Sequence, residues 1–167
     1  WTFHITVSDM TQGVSVCKNF AEIPLQDRWK WAVASASPPI LAAPVEINGN
    51  PYCDGGFLSN ANIKFAIKDG ADVLYVLMPY HFETYTINNL VDAISFALMA
   101  TSNTMVKDEL TFVKIYNSMT GFRKIDVHFI CPKEDLKNSL MDFDFGDKCT
   151  RKKLIKRGYD TVREYGL

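Results

Sequence analysis

Long apolar runs are missing from this 167-residue chain. No uncharged stretch reaches the ~18 residues that a membrane-spanning helix needs, so no helical span is expected. A secretory signal is missing too: Trp1-Thr-Phe-His-Ile-Thr-Val7 carries no basic segment and no cleavage site. There is no excess of positive charge. The formal net charge is -1, which argues against a nucleic-acid partner. Four cysteines, at 17, 53, 131 and 149, include no Cys-x-x-Cys clip and read as reduced, mostly buried thiols. His4, His81 and His128 are scattered, with no His-x-x-x-His spacing, so no metal site is expected. No Gly-x-Gly-x-x-Gly or P-loop pattern follows any strand, which weighs against a nucleotide-binding domain. These absences together predict a cytoplasmic protein without a cofactor.

Hydrophobic residues make up 47% and charged residues 22%, the balance of a globular protein with one core. Phe3 to Val7 alternates as a strand does, Thr11-Gln-Gly13 forms a turn, and Val14 to Val16 resumes a strand. Leu25 to Ala36 favours a helix, stopped by Pro38-Pro39. Asn48-Gly49-Asn50 between Val45–Ile47 and Pro51–Cys53 is a strong hairpin signal, because both turn residues tolerate positive φ. Asn60 is placed to cap a helix carrying Ile63, Ala66 and Ile67, which Gly70 ends. Ala71 to Leu77 is nearly all apolar, as a strand buried on both faces requires. Strand, helix and strand in this order predict a βαβ unit. Ile87 to Met119 is helical in composition with a break expected around Thr101 to Thr104. Ile125 to Ile130 is β-rich, and Arg151 to Tyr165 makes a basic amphipathic helix. The class is α/β, with a parallel-rich central sheet flanked by helices.

Trp29, Trp31 and Phe20 read as core rather than lipid contacts. The run Arg151 to Arg157 reads as a solvated helix face rather than a lipid-binding patch. Phe82 to Asn89 is positioned to be a loop over a site at the strand ends.

Tyr52-Cys-Asp-Gly-Gly-Phe-Leu-Ser-Asn-Ala-Asn62 raises a sharper question. Asp-Gly is a common turn pair, and Asp54 could simply cap the next helix. The alternative rests on position. Asp54 ends a strand, where α/β proteins collect their catalytic groups. Gly55 and Gly56 let backbone approach without a Cβ in the way. A carboxylate held there could act as a general base for a nearby hydroxyl.

The segments Ala32-Val-Ala-Ser-Ala-Ser-Pro-Pro-Ile40, Pro44 to Asn60 and Gly70-Ala-Asp-Val-Leu-Tyr-Val76, in this order and spacing, resemble the patatin-like phospholipases. Val7-Ser-Asp-Met-Thr-Gln-Gly13 is similar to that family's Thr-Asp-Leu-x-Thr-Gly segment, and Phe143 to Tyr159 to its closing helix. The family often has Asn-x-Pro after Asp-Gly-Gly; here Asn62 stands in place of the proline. The resemblance implies a three-layer fold and a lipid acyl hydrolase with a Ser-Asp dyad. Asp54 would be the base, with Gly55 and Gly56 shaping its loop. It implies lipid or acyl-ester substrates, peripheral membrane contact and no metal.

The nucleophilic serine of that family stands on a Gly-x-Ser-x-Gly elbow upstream of all these segments, and this chain has no such motif. Ser15, in Gly13-Val-Ser-Val-Cys17, is its nearest imitation. It lies at an alternating strand position with no helix pattern behind it, so it is not the nucleophile. The expectation is therefore the C-terminal portion of a patatin-like catalytic domain, residues 1–167 forming one domain. The serine would come from an upstream half, and this chain alone would be inactive. A strand interior at Trp1 agrees with truncation or splitting. The alternative is a binding or scaffolding domain that kept a degenerate patatin-like fold.

Overall fold

A computed structural model describes residues 2–78, 87–133 and 148–166. These fall into two compact units. One holds the chain up to Gly70 together with Thr101–Phe122, and the other holds Ala71–Ala100 and the chain from Arg123 onward.

The first unit is built on a four-stranded antiparallel sheet in the order β2-β1-β4-β3. Its strands are β1 (His4–Asp9), β2 (Val14–Asn19), β3 (Val45–Ile47) and β4 (Asn50–Asp54). Two tight hairpins make the β1–β2 and β3–β4 pairs antiparallel. In the first, the buried Asp9 side chain accepts the amides of Thr11 and Gln12 at 2.8 and 3.0 Å, and Gly13 turns the chain at φ 66°. In the second, Asn48 and Gly49 both take positive φ, 53° and 81°, which lets Ile47 pair directly with Asn50. Strand β1 then pairs with β4, setting Val7 opposite Asp54.

Helix α1 (Arg28–Ser35) follows a short 3₁₀ turn at Leu25–Asp27 and buries Trp31 and Ala34. These join Ile5, Val7, Ile23 and Ile47 in one core cluster. The Trp31 ring lies 5.3 Å from that of Tyr52. Trp31 is thus a core residue and Phe20 packs on the core's margin, whereas Trp29 is 61% exposed on the outer side of α1. Its position two residues from Trp31 turns it away from the sheet, which the expectation of a core residue missed.

The second unit contains a two-stranded parallel sheet, β5 (Val73–Leu77) with β6 (Asp126–Ile130), in the register Val73 to Asp126 through Leu77 to Ile130. Tyr75 stacks on His128 with ring centroids 4.7 Å apart. Helix α4 (Lys148–Glu164) closes the chain, with Arg151, Lys152, Lys153 and Lys156 exposed to solvent.

Three expectations need correction. Among the described residues the larger sheet is antiparallel, so the class is α/β with mixed sheets and not a parallel-rich one. Strand β4 takes β1 and β3 as its neighbours, and β5 takes β6. The helix in the β5–β6 connection is therefore α3 (Leu90–Ser118), and among the described residues β4 and β5, the strands on either side of α2 (Ile63–Lys68), belong to different sheets, so the expected β4–α2–β5 unit is not observed. Second, β5 is not buried on both faces. Val73, Tyr75 and Leu77 are 50%, 56% and 67% exposed, and only Val76 is buried. Third, α3 runs without a break through Thr101–Thr104. Ser102 and Asn103 are buried there, and a hydrogen bond to Ser102 replaces the solvent that would otherwise favour a break.

The cysteines are free: Cys53 and Cys131 are buried, Cys17 is half-buried and Cys149 is exposed. No helix among the described residues is long and apolar enough to cross a membrane. His81, residues 82–86 of the segment placed over the site, and residues 143–147 of the closing segment lie outside the described residues.

Candidate active site

Asp54 is the last residue of β4, and its backbone is held from two sides. Its amide donates to the Ser37 carbonyl, just past α1, at 2.9 Å. Its carbonyl accepts the hydroxyl of Ser8, on β1, at 2.8 Å. Both serines are buried, and Ser37 is itself tied to the Val33 carbonyl at 2.7 Å. With the main chain fixed, the side chain caps a short 3₁₀ turn at Gly55–Phe57, Oδ1 accepting the Gly56 amide at 2.8 Å.

The two glycines are forced by space. A Cβ on Gly55 would stand 2.4 Å from the Thr6 carbonyl oxygen, well inside van der Waals contact. A Cβ on Gly56 would meet Asn60 Oδ1 at 2.9 Å and Asp54 Oδ1 at 3.2 Å. The chain after Asp54 therefore lies flat against β1 and wraps its own carboxylate.

Asp54, Gly55 and Gly56 line a cleft of about 430 Å³, together with Phe20, Ala36 and Asn62. Burial raises the Asp54 carboxyl above the ordinary aspartate value, and the Gly56 hydrogen bond opposes that rise. Among the described residues Asp54 forms no ion pair, and only Oδ1 carries a hydrogen bond. Oδ2 is left for a proton donor entering the cleft. A half-buried carboxylate of raised basicity, free of a cation, has the properties of a general base.

Helix α2 starts differently from the expectation. Its N-cap is Asn62, not Asn60, in the left-handed conformation at φ 54° and with no side-chain capping bond. The Asn60 amide group donates instead to Ser102 Oγ on α3. The missing cap is supplied from a distance. Glu109 of α3, 7% exposed, accepts the Ile63 amide at Oε2 and the Ser59 hydroxyl at Oε1, both at 2.8 Å. Asn62 Oδ1 is buried without a hydrogen-bond partner.

Ser8, Ser37, Ser102 and Glu109 escaped the sequence reading. Ser102 and Glu109 did leave a trace: they fall on the same helical face as the buried Met99, Val106 and Val113. Polar residues on an apolar stripe mark internal partners. Ser15 stands on β2 opposite Ser8, within regular strand pairing and away from any strand-to-helix turn.

A half-buried carboxylate beside two glycines, in a cleft also lined by His4, is an arrangement that hydrolytic enzymes can use. The comparison with family models agrees: the model for Patatin-like phospholipase matches residues 18–67, which include Asp54, Gly55 and Gly56. The resemblance is thus established over less than a third of the chain, and it carries ester hydrolysis at the level of the family. No curated protein matches the chain.

Proposed function

We propose that this chain is the C-terminal portion of a single patatin-like catalytic domain, a lipid acyl hydrolase with Asp54 as the base of a Ser-Asp dyad. The serine and the oxyanion-binding backbone come from the upstream half of the domain, and strands of that half complete a three-layer fold. The exposed Val73, Tyr75 and Leu77 support this, since parallel sheets normally have both faces covered. The protein acts in the cytoplasm with peripheral membrane contact.

In the reaction, Asp54 Oδ2 takes the serine proton as the hydroxyl attacks the ester carbonyl. The tetrahedral intermediate collapses, the proton passes from Asp54 to the leaving alcohol, and an acyl-enzyme remains. Asp54 then deprotonates a water as it attacks the acyl-enzyme, and the proton passes to the serine oxygen as the acid is released. Gly55 and Gly56 keep the carboxylate beside the incoming hydroxyl. Transition-state charge is met by upstream amides, a contribution that is generally large in acyl transfer.

One observation carries this reading: the Asp54 carboxylate lines a cleft, anchored through Oδ1 and unpaired with any cation among the described residues. The test is turnover of a short-chain nitrophenyl ester by this chain alone and then with the upstream half added. The expected result is no turnover alone and turnover on reconstitution, abolished by Asp54→Ala. Activity of the lone chain that survives Asp54→Ala would end the assignment.

A further inference from the structure

We propose that Glu109 is a positioning residue for Asp54: through Ser59 and Ile63 it holds the Gly55–Asn62 loop in the shape that aims the carboxylate into the cleft. This rests on the reading of Asp54 as the base.

The loop has little support of its own. It leaves β4 and enters a six-residue helix, α2, too short to be stable by itself. The first amides of any helix have no partner within it, and the N-cap Asn62 makes no side-chain bond to them. Asn62 also holds a left-handed backbone, which asparagine tolerates, so its conformation by itself does not hold the loop in place.

Glu109 supplies the missing support. One carboxylate oxygen takes the Ser59 hydroxyl and the other the Ile63 amide, so a single side chain grips the loop on both sides of Asn60–Asn62. Seven residues earlier on α3, Ser102 accepts the Asn60 amide group. A seven-residue separation is two helical turns, so both grips lie on one face of α3. The carboxylate is 7% exposed and receives two hydrogen bonds there, which is how a buried charge becomes tolerable.

The grip reaches Asp54 in two steps. Asn60 Oδ1 lies 2.9 Å from where a Cβ on Gly56 would stand, so Asn60 and Gly56 are close neighbours. The Gly56 amide is the donor that holds Asp54 Oδ1. If Ser59 and Ile63 are released, Asn60 loosens, the Gly56 amide drifts and the carboxylate is no longer fixed.

Glutamine separates geometry from charge at this position. In Glu109→Gln the carbonyl oxygen still accepts the Ile63 amide, and the amide nitrogen donates to Ser59, whose hydroxyl can turn to accept. Both links survive. In Glu109→Ala neither does.

The experiment uses the complete protein, with kcat and KM for a nitrophenyl ester and the titration of the Asp54 carboxyl followed by carbon NMR, assigned against Asp54→Asn. Glu109→Ala is expected to lower kcat about 10- to 100-fold, the scale of a misplaced catalytic group. KM should change much less, and the Asp54 titration should shift from its parent position, because both the burial that raises it and the Gly56 hydrogen bond that lowers it are altered. Glu109→Gln should restore most of the kcat and the parent titration. Should Glu109→Ala not fold, Ser59→Ala removes one link only, and is expected to give a smaller loss of kcat with the same direction of drift. The proposal is overturned if Glu109→Ala, or Ser59→Ala in its place, leaves kcat and the Asp54 titration unchanged. It is equally overturned if Glu109→Gln is as damaged as Glu109→Ala. Turnover that survives Asp54→Asn would remove the dyad reading instead, and the Asp54 titration would still report on the grip.

Discussion

The Ser8 hydroxyl donates a 2.8 Å hydrogen bond to the Asp54 carbonyl across 46 residues of chain. The bond ties the end of β4 to the C-terminal end of β1 at the point where the loop departs. Ser8 is 1% exposed, so water cannot replace it. Ser8→Ala is expected to destabilise the protein by about 1–3 kcal/mol, the penalty for a buried acceptor that loses its donor. Urea unfolding monitored by tryptophan fluorescence measures it. A loss indistinguishable from zero would mean that the carbonyl has another donor.

Glycine substitutions should divide sharply by site. Gly55→Ala sets a methyl 2.4 Å from the Thr6 carbonyl oxygen, which is rigid backbone. A cost of about 1–3 kcal/mol is expected, as for other overpacked sites, and esterase activity of the complete protein should fall with it. Gly158, inside α4, has nothing within 4 Å of a new methyl and no positive φ. Gly158→Ala should stabilise by roughly 0.5–1 kcal/mol from helix propensity. Thermal unfolding of the two variants beside the parent decides the matter, and equal behaviour would refute the contrast.

The pH dependence comes from the direction of the Asp54 shift. Burial raises this carboxyl in the folded protein, against the pull of the Gly56 amide. The folded state therefore holds the proton more tightly than the unfolded chain does. That contribution to stability is complete below the ordinary aspartate range and is lost as pH rises through the raised folded value. Asp54→Asn, which cannot ionise, is expected to be more stable than the parent at neutral pH. The difference should close as pH falls below the ordinary aspartate range. Denaturant midpoints of both proteins across pH test it, and a gap that widens toward acid would reverse the sign.

Ile40 carries the clearest backbone strain. It is β-branched, 74% exposed and held at φ 76°, a conformation that Cβ branching strongly disfavours. Ile40→Asn or Ile40→Gly should stabilise the fold by about 1 kcal/mol, since little buried contact is lost. A fall in melting temperature would show that the exposed side chain contributes contacts outweighing its strain.

Legibility in the sequence tracked the range of the interactions. The Asn48-Gly49 hairpin was readable because its cause is local: two residues tolerant of positive φ between short strands. Strand β6 and helix α4 were readable for the same reason. The partner of β5 was not, because an apolar run shows that a strand can be covered and says nothing of which strand pairs with it. The expected break at Thr101–Thr104 failed because serine and asparagine disfavour a helix only while their side chains lack tertiary partners, and here Ser102 has one. The glycines beside Asp54 stood out as residues that permit close approach. The serines that fix the Asp54 backbone did not, since a buried serine and a surface serine look alike in one sequence.

The Glu109 contact also limits where this protein can be cut. The matched family segment ends at residue 67, and a fragment trimmed to that border would contain Asp54 and both glycines. It would leave the Ser59 hydroxyl and the Ile63 amide without their acceptor, which lies more than forty positions beyond the border. The smallest piece that preserves the carboxylate's surroundings must therefore extend past Glu109 to the end of α3, however recognisable the shorter piece looks by homology.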